Sequence, residues 1–508
     1  MWLTQLLERN RQCFGDRVAL ADARRSLTWA ELAHRAEALS VTLGALGVRH
    51  GDRVAVLSRD RVEVLETYFA LGRIGALFVP VDPALVPGEV AEITEHAKVA
   101  GIIGESELLE RLDTAPGTAG PDAPWRLSFD DSRHRDAATT SPAAAPASAG
   151  EEPVVRADDP VAVLYTSATA GHPKGVVVDH RSVKDIALGW LAVAAPPAEA
   201  VLVTCCPLFH GTVVLTLAHL AAGTTVVIPG SDAPPKDIVA SAQQHRATHL
   251  WLVPETLRAL LDHLGTHEDA ALPDSLTEVL YGAAPMPVGL YAAAARTLGC
   301  GFRQVYGLTE AGGPFVTLAP AEHPDPHGDL PDALPVGRVI PGMSVRIADD
   351  AGRPLPTGER GEILVRGDGR MRGYWRDPAA TDEALVTGWL RTGDIGHLDE
   401  TGCLHLLDRK TDLIIRNGRN VYPAEIERVL RRHPAVADTA VVGVADPVEG
   451  EVPLALVVLA PGAQVSRDDI MSHLAARTAA YKTPKDVQIV ETLPRNSAGK
   501  VQKRLITA

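Results

Sequence analysis

At 508 residues the chain is too long for one ordinary domain, which predicts a large multi-lobed unit and at least one smaller one. Its 46% hydrophobic and 22% charged residues suit a globular enzyme, and no stretch approaches the roughly 20 uninterrupted apolar residues of a membrane span. The net charge of −15 argues against a nucleic-acid surface, while leaving room for a locally basic pocket. Five cysteines without a C-x-x-C pair suit a reduced, cytoplasmic protein, and the opening MWLTQLLERNRQCFGDR has no cleavage-type segment, which argues against secretion.

From Leu27 the residues LTWAELAHRAEALSVTLGALG predict a helix. Thr28 is its N-cap, Glu31 completes a capping box, and Leu32, Ala36, Leu39, Leu43 and Leu46 follow helical spacing up to Gly47. VAVL (54–57) is a buried strand, and a helix from about Val62 to Gly75 leads into LFVPVDP. Strand and helix in alternation predict a parallel sheet covered by helices. From about Thr114 to Pro160 the rhythm breaks, and DAATTSPAAAPASAGEEP has the composition of a mobile surface loop. Cys205 and Cys206, adjacent in an apolar run, are expected to line a buried strand; residues 319–335, rich in Pro and Asp, are irregular. Two histidine pairs, His245 with His249 and His323 with His327, lack a third and fourth ligand and are expected at the surface. After Asp408 comes strand, turn at Asn417-Gly418, helix opened by Pro423 with Glu425 and Glu427 in its first turn, then strand. The fold class is α/β: a large N-terminal multi-lobed domain of sheets covered by helices (1–408) and a small mobile α+β C-terminal domain (409–508).

Four segments carry chemistry. TSATAGHPKG (166–175) combines small residues, hydroxyls and Lys174, which suits converging backbone N–H groups on an anion, though its spacing is not G-x-x-x-x-G-K-[ST]. YGLTE (306–310) offers an aromatic face in Tyr306, a hydroxyl in Thr309 and a hard oxygen ligand for Mg²⁺ in Glu310; in isolation a buried turn with a capping Glu is the favoured reading. GWLRTGDIGHLDETGCLHLLDR (388–409) ends one strand at Asp394, able to accept both hydroxyls of a ribose, and another at Arg409; DETG is also an ordinary hairpin. PRNSAGKVQKR (494–504) sets Lys500 on a Gly-containing loop, where a lysine is usually solvated.

Together and in this order these segments resemble the adenylate-forming superfamily of acyl- and aryl-CoA synthetases, peptide-synthetase adenylation domains and luciferases, from about Leu27 to Arg504. The resemblance implies that a carboxylate attacks the α-phosphate of ATP to give an acyl-adenylate and pyrophosphate, after which a thiol takes the acyl group and AMP leaves. It implies that Thr166, Ser167, Thr169, Gly171 and Lys174 hold the β- and γ-phosphates, and that Tyr306 stacks on adenine opposite Gly282, Ala283 and Ala284. Thr309 would touch the α-phosphate, Glu310 bind Mg²⁺, Asp394 and Arg409 fix the ribose, and Lys500 bridge carboxylate and α-phosphate as the catalytic cation. His210 would sit beside the acid, with Val213, Val214, Ala283, Ala284, Ala311, Gly312 and Gly313 around an apolar pocket for an aryl or medium-length acyl group.

The chain departs from the family at Ala168, usually glycine; at Ala170, usually threonine; and at Thr411, usually Asp or Lys in the hinge. Weaker ATP binding and an altered hinge movement are expected. Lys482, Lys485, Arg495, Lys503 and Arg504 would greet the phosphates of CoA or a carrier's phosphopantetheine, with Gly418 at the pantetheine channel. CoA is the expected acceptor, with a separate carrier protein second and transfer of another oxyanion such as nitrite to an amine third. A non-catalytic nucleotide-binding regulator of the same fold is the reading from another class.

Overall fold

Short apolar runs without alternation suit strands covered on both faces, and the parallel pairing of Arg53–Leu57 with Leu77–Val81 bears this out. The computed structural model describes residues 2–114, 123–131, 134, 154–166, 174–209, 213–230, 232–417, 419–446, 448–495 and 500–506. Within them the two runs lie in a seven-stranded sheet of order Gly373–Tyr374, Lys174–Asp179, Pro160–Thr166, Leu77–Val81, Arg53–Leu57, Gly101–Gly104, Trp125–Ser128. A nine-stranded sheet is built around the parallel strands Gly301–Leu308, Glu278–Gly282, His249–Leu252, Val201–Thr204, Thr225–Ile228 and Val18–Asp22, and its antiparallel strand Gly313–Leu318 folds back on Gly301–Leu308.

One apolar core joins the facing sides of these sheets through helices Trp2–Phe14, Trp29–Ala45, Val62–Ile74, His180–Ala194 and Val213–Ala222. Leu3, Leu32, Leu65, Ile186 and Leu217 meet Phe78, Leu202 and Leu280 there. The capping box at Thr28 is present: its hydroxyl accepts the Glu31 N–H at 3.2 Å, and the Glu31 carboxylate accepts the Thr28 N–H at 2.7 Å. Gly75 closes the Val62–Ile74 helix in the left-handed region at φ +77°, where glycine carries no Cβ penalty.

A third, antiparallel sheet contains Met343–Ala348, Gly361–Gly367 and Trp389–Leu398, with Leu404–Arg409 on the last. Beyond it, Ile414–Arg416, Arg419–Val421, Val436–Asp446, Gly450–Leu459 and Asp486–Ile489 form a fourth sheet under helices Pro423–Arg431 and Arg467–Ala475. It has its own core, including Ile414, Ile426, Leu430, Val441, Ala455 and Ile470. Strand, turn, helix and strand after Asp408 therefore occur in the expected order, although Gly418 lies outside the described residues.

Three expectations need correction. Within the stretch after Thr114, Trp125–Ser128 is a strand, parallel to Gly101–Gly104; it is too short to carry a period, and the neighbouring strand recruits it. Residues 136–153, the Ala/Pro-rich piece, lie outside the described residues. Cys205 and Cys206 are buried but lie just past the end of Val201–Thr204, where the Cys205 N–H donates to the Trp251 carbonyl at 3.0 Å. The histidines are not all at the surface. His249 is buried, 2.7 Å from the Thr248 hydroxyl, with its ring 5.6 Å from that of His219. His323 lies 2.8 Å from the Tyr281 hydroxyl and 2.9 Å from the Ala319 carbonyl, and burial pushes its pKa down to about 4.

The Val62–Ile74 helix buries two carboxylates. Glu63 is fully enclosed and accepts Arg61 on both oxygens at 2.6 and 2.7 Å, with Arg25 as a further partner; Glu66 accepts Arg35 at 2.7 Å. An Arg61→Leu substitution leaves Glu63 buried with Arg25 alone, and a loss of about 3 kcal/mol is expected because half of the compensation disappears while the desolvation remains. The check is the midpoint of chemical denaturation: the single variant should fall well below the parent, and the joint Arg61→Leu, Glu63→Leu variant should recover most of the difference.

Candidate active site

Three of the four segments are delivered by strands inside the sheets, and the fourth by the C-terminal stretch. Strands Pro160–Thr166 and Lys174–Asp179 run antiparallel with Thr166 opposite Lys174, so both stand half-buried at the mouth of one hairpin. Ser167, Ala168, Thr169, Ala170, Gly171 and His172, between them, lie outside the described residues. Gly175 is required next to Lys174: a Cβ there would come 2.7 Å from Val163 Cγ1 and 3.2 Å from Trp375 Cβ.

Strand Gly301–Leu308 delivers Tyr306, and a single helical turn, Thr309–Ala311, follows it. The turn doubles back because Gly312 takes φ +81°, and a Cβ there would sit 1.9 Å from the Gly369 carbonyl oxygen. The Glu310 carbonyl accepts the Met371 N–H at 2.8 Å, and its carboxylate accepts the Tyr374 hydroxyl at 3.0 Å. The Lys174 ammonium lies over the Tyr374 ring, 4.9 Å from its centroid. Lys174 and Glu310 are thus bridged by Tyr374, a residue the sequence reading passed over. Its one local signal is the GYW run beside a helix-starting Asp-Pro; the strand pairing that aims it is long-range.

Tyr306 points the other way. Its hydroxyl donates to Asp394 Oδ2 at 2.6 Å, and its ring packs edge-on against Phe315 with centroids 5.1 Å apart. Asp394 is opposite Arg409 on paired strands, with Arg409 Nε 3.4 Å from Asp394 Oδ1. Burial raises the Asp394 pKa, while Arg409, the Tyr306 hydroxyl and Lys500 oppose the rise. The Tyr306 phenol is pushed far up, first by burial and then by Asp394. Gly282 pairs with Val305, one residue before Tyr306, and a Cβ on it would meet the Val305 carbonyl oxygen at 2.3 Å. Ala283 follows, exposed and in the left-handed region at φ +64°, then half-buried Ala284; the YGAAP wall therefore stands beside Tyr306.

Lys500 reaches this cluster from the C-terminal segment beyond the last strand. Desolvation and then Arg409 lower its pKa, while Asp394 and Glu310 pull it up, so one ammonium feels both carboxylates. Lys503 anchors the same segment, 2.9 Å from buried Glu427 and 3.9 Å from Asp412. The structure thus gathers Lys174, Tyr306, Glu310, Asp394, Arg409 and Lys500. His210 lies outside the described residues; Val213 and Val214 are buried at the start of the Val213–Ala222 helix, which packs on the strand beginning at Gly313.

Glu310 suits a divalent cation: its Oε2 accepts no hydrogen bond from the described residues, it is a hard oxygen donor, and Lys174 and Lys500 keep the neighbourhood able to hold phosphates. Asp399, Cys403 and His405 also cluster, but the Asp399 oxygens already accept Thr401, Cys403 and His405, which closes the DETG hairpin. The cations expected to meet CoA are mostly ion-paired: Lys482 with Glu425, Lys485 with Asp446, Arg495 with Asp438 and Lys503 with Glu427. At the hinge, Lys410 holds Asp350 at 2.7 Å and Glu362 at 3.2 Å, and the Thr411 hydroxyl contacts only Asp412, at 3.3 Å, among the described residues.

Asp408, adjacent to Arg409, accepts the Ala424 N–H at 2.8 Å in the first turn of Pro423–Arg431, and burial lifts its pKa to about 6 against the pull of Lys503. An unfolded aspartate titrates near 4, so the folded chain retains a proton that the unfolded chain releases. The associated stability is complete below about pH 4 and is lost as pH rises through about 6. An Asp408→Asn substitution should remove that slope. Thermal midpoints should move in favour of the variant between about pH 4 and pH 7, by on the order of 2 kcal/mol relative to the parent. A difference that stays constant with pH would contradict the assignment.

The family model for "AMP-binding enzyme" matches residues 7–375, and that for "AMP-binding enzyme C-terminal domain" matches residues 425–500. A feruloyl-CoA synthase from Amycolatopsis sp. is 36% identical over 94% of this chain and 93% of its own. The fatty acid–[acyl-carrier-protein] ligase ScoC of Streptomyces coeruleorubidus is 35% identical over 94% of this chain and 91% of its own. Among solved structures, the O-succinylbenzoate coenzyme A synthetase MenE of Bacillus subtilis, in complex with ATP and magnesium ion, superposes with a TM-score of 0.83 at 28% identity over 98% of both chains. With both family models matched in order and the nucleotide-type residues converging at one place, the chain belongs to the AMP-binding, adenylate-forming enzymes.

Proposed function

We propose that the chain is an AMP-forming acid–thiol ligase that activates an aryl or medium-chain carboxylic acid and passes it to CoA. The observation that carries the reading is the convergence of Lys500 with Asp394, Arg409 and Glu310, because adenylation must bring two anions together. The carboxylate oxygen attacks the α-phosphorus, a C–O–P linkage forms and the bond to pyrophosphate breaks. Lys500 neutralises charge on both partners during this step. Thr166 and Lys174, with Ser167, Thr169 and Gly171, hold the outer phosphates; Thr309 contacts the α-phosphate. Asp394 and Arg409 hold the ribose, and Tyr306 with Gly282, Ala283 and Ala284 encloses the adenine. Magnesium, bound through Glu310, would supply charge neutralisation at the phosphates.

In the second half, the thiol sulfur attacks the acyl carbonyl, its proton is lost and AMP leaves. Residues 1–408 act as the body and 409–508 as the moving domain, with Gly418 swung toward the thiol. His210, Val213, Val214, Ala311, Gly312 and Gly313 surround the acid. Loading of a separate carrier protein is the second reading, favoured by the similarity to ScoC and by the ion-paired state of the small-domain lysines. Unpaired cysteines and the absence, among the described residues, of a helix long and apolar enough to cross a membrane suit a cytoplasmic enzyme.

The test is pyrophosphate release with ATP, Mg²⁺ and a panel of aryl, fatty and amino acids plus nitrite, with AMP release followed with and without CoA. One acid class should respond, and CoA should speed AMP release. Silence across the panel with ATP binding intact would instead favour a nucleotide-binding regulator. A Lys500→Ala substitution should lower adenylation about 10²- to 10³-fold while ATP still binds calorimetrically; unchanged adenylation would remove Lys500 from the mechanism.

The two loop alanines give a further expectation on chemical grounds. A joint Ala168→Gly, Ala170→Thr change restores backbone freedom and one hydroxyl donor to an anion, and should lower the KM for ATP roughly 10-fold. An unchanged KM in initial-rate kinetics would mean that the remaining donors saturate the phosphates.

A further inference from the structure

We propose that Tyr374 is a positioning residue for the nucleotide–metal complex, holding the Glu310 carboxylate with its hydroxyl and the Lys174 ammonium with its ring. The inference rests on the reading of Glu310 as the carboxylate for magnesium and goes beyond it by assigning a residue on a separate strand.

The register of the sheet explains the placement. Strand Gly373–Tyr374 runs antiparallel to Lys174–Asp179, with Tyr374 opposite Val176 and Gly373 opposite Val177. Lys174 lies two residues from Val176, on the same face of the strand, so Lys174 and Tyr374 are diagonal neighbours within reach of a long side chain and an aromatic one. The ammonium lies 4.9 Å from the ring centroid, within the range of a cation–π contact. From the opposite side the hydroxyl donates to Glu310 Oε1 at 3.0 Å, which turns the other carboxylate oxygen, Oε2, toward whatever binds there. A metal-binding carboxylate so held is fixed in orientation before the cation arrives.

The backbone around Tyr374 is built to keep it still. Its N–H donates to the Thr381 hydroxyl at 2.9 Å, and that hydroxyl donates to the Asp377 carbonyl at 2.7 Å. Gly373 takes φ +152°, and a Cβ there would lie 2.7 Å from Thr381 Cγ2, so the chain packs on Thr381 only with glycine at this position. The Trp375 N–H donates to the Gly175 carbonyl at 2.6 Å, tying the next residue to the one after Lys174. Tyr374 therefore sets the separation between a cation for the outer phosphates and a carboxylate for the metal, two groups that the chain supplies from segments more than a hundred residues apart.

Three full-length variants test this. Tyr374→Phe keeps the ring and removes the hydroxyl; Tyr374→Leu removes both; Glu310→Gln weakens the carboxylate itself. Retention of Mn²⁺ in the presence of a non-hydrolysable ATP analogue is read by electron paramagnetic resonance, and analogue binding in EDTA by calorimetry. The Mg²⁺ dependence of pyrophosphate release accompanies them. Tyr374→Phe should weaken Mn²⁺ retention roughly 10-fold or more and raise half-saturating Mg²⁺ in parallel, with metal-free analogue binding and the KM for the acid unchanged. Tyr374→Leu should in addition weaken metal-free analogue binding several-fold, because Lys174 loses its platform. Parental Mn²⁺ retention in Tyr374→Phe alongside a defect in Glu310→Gln overturns the proposal. No defect in Glu310→Gln overturns the reading of Glu310 itself. A Tyr374→Phe variant that loses metal-free binding and thermal stability together would show a merely structural tyrosine and also overturn it.

Discussion

A single carboxylate held almost wholly out of water ties the molecule together. Asp394 is 6% exposed and is met by the Tyr306 hydroxyl, the Arg409 guanidinium and the field of Lys500. Those three come from the nine-stranded sheet, the last strand of the antiparallel sheet and the C-terminal segment. A buried charge without partners would be intolerable, so each of the three is constrained to approach it. The Cα pairing of Asp394 with Arg409 fixes one partner through backbone geometry alone; the others arrive only when sheets separate in sequence have docked.

The same carboxylate explains why the site is electrostatically composed even though the chain carries a net charge of −15. Arg409 and Lys500 lie near Asp394, and Lys174 is linked to Glu310 through Tyr374. Asp394, Glu310 and Asp408 are the carboxylates close to these cations, and two of them, Asp394 and Asp408, have their pKa values raised by burial.

Much of this was legible in the sequence because the signals were local. The capping box at Thr28, the unbroken VAVL run, Pro423 at a helix start and the four motif segments each declare themselves within a short continuous stretch. Three kinds of feature were not legible, for one reason: they depend on pairing across long sequence distances. Trp125–Ser128 becomes a strand only because Gly101–Gly104 offers it an edge. His249 looks like a surface histidine until strands Val201–Thr204 and Glu278–Gly282 flank it, and His323 until Tyr281 partners it. Tyr374 is one aromatic among many until antiparallel register sets it diagonally from Lys174 and in front of Glu310. The proximity of Lys500 to the site is the instructive intermediate case. Its short Gly-containing loop has no local signal of its own, and family resemblance, not periodicity, singled it out.

The contacts between the C-terminal sheet and the rest are of a kind suited to the rotation proposed for that domain. Arg360 holds Glu425 at 2.9 Å, Arg432 pairs with Asp332, and Arg495 lies 3.6 Å from Glu255, all with at least one partner a third or more exposed. Exposed pairs of this sort contribute roughly 0 to 1 kcal/mol each, and screening by salt reduces them further. The apolar part is a small patch of Ile395, Leu407, Tyr422 and Leu413 at the hinge itself, where rotation would displace it least. By contrast Lys410 is held by Asp350 and by Glu362, a carboxylate only 4% exposed, so the residue beside Arg409 stays with the body. Thr411 follows immediately and contacts only the neighbouring Asp412 among the described residues, whereas Asp412 already answers to Lys503 of the C-terminal segment. The chain thus passes from contacts with Asp350 and Glu362 to a contact with Lys503 between Lys410 and Asp412, just past the proposed boundary at 408/409. In the proposed rotation a neutral Thr411 would itself add no charge favouring either position, so the electrostatic bias at that point would come from its charged neighbours Lys410 and Asp412.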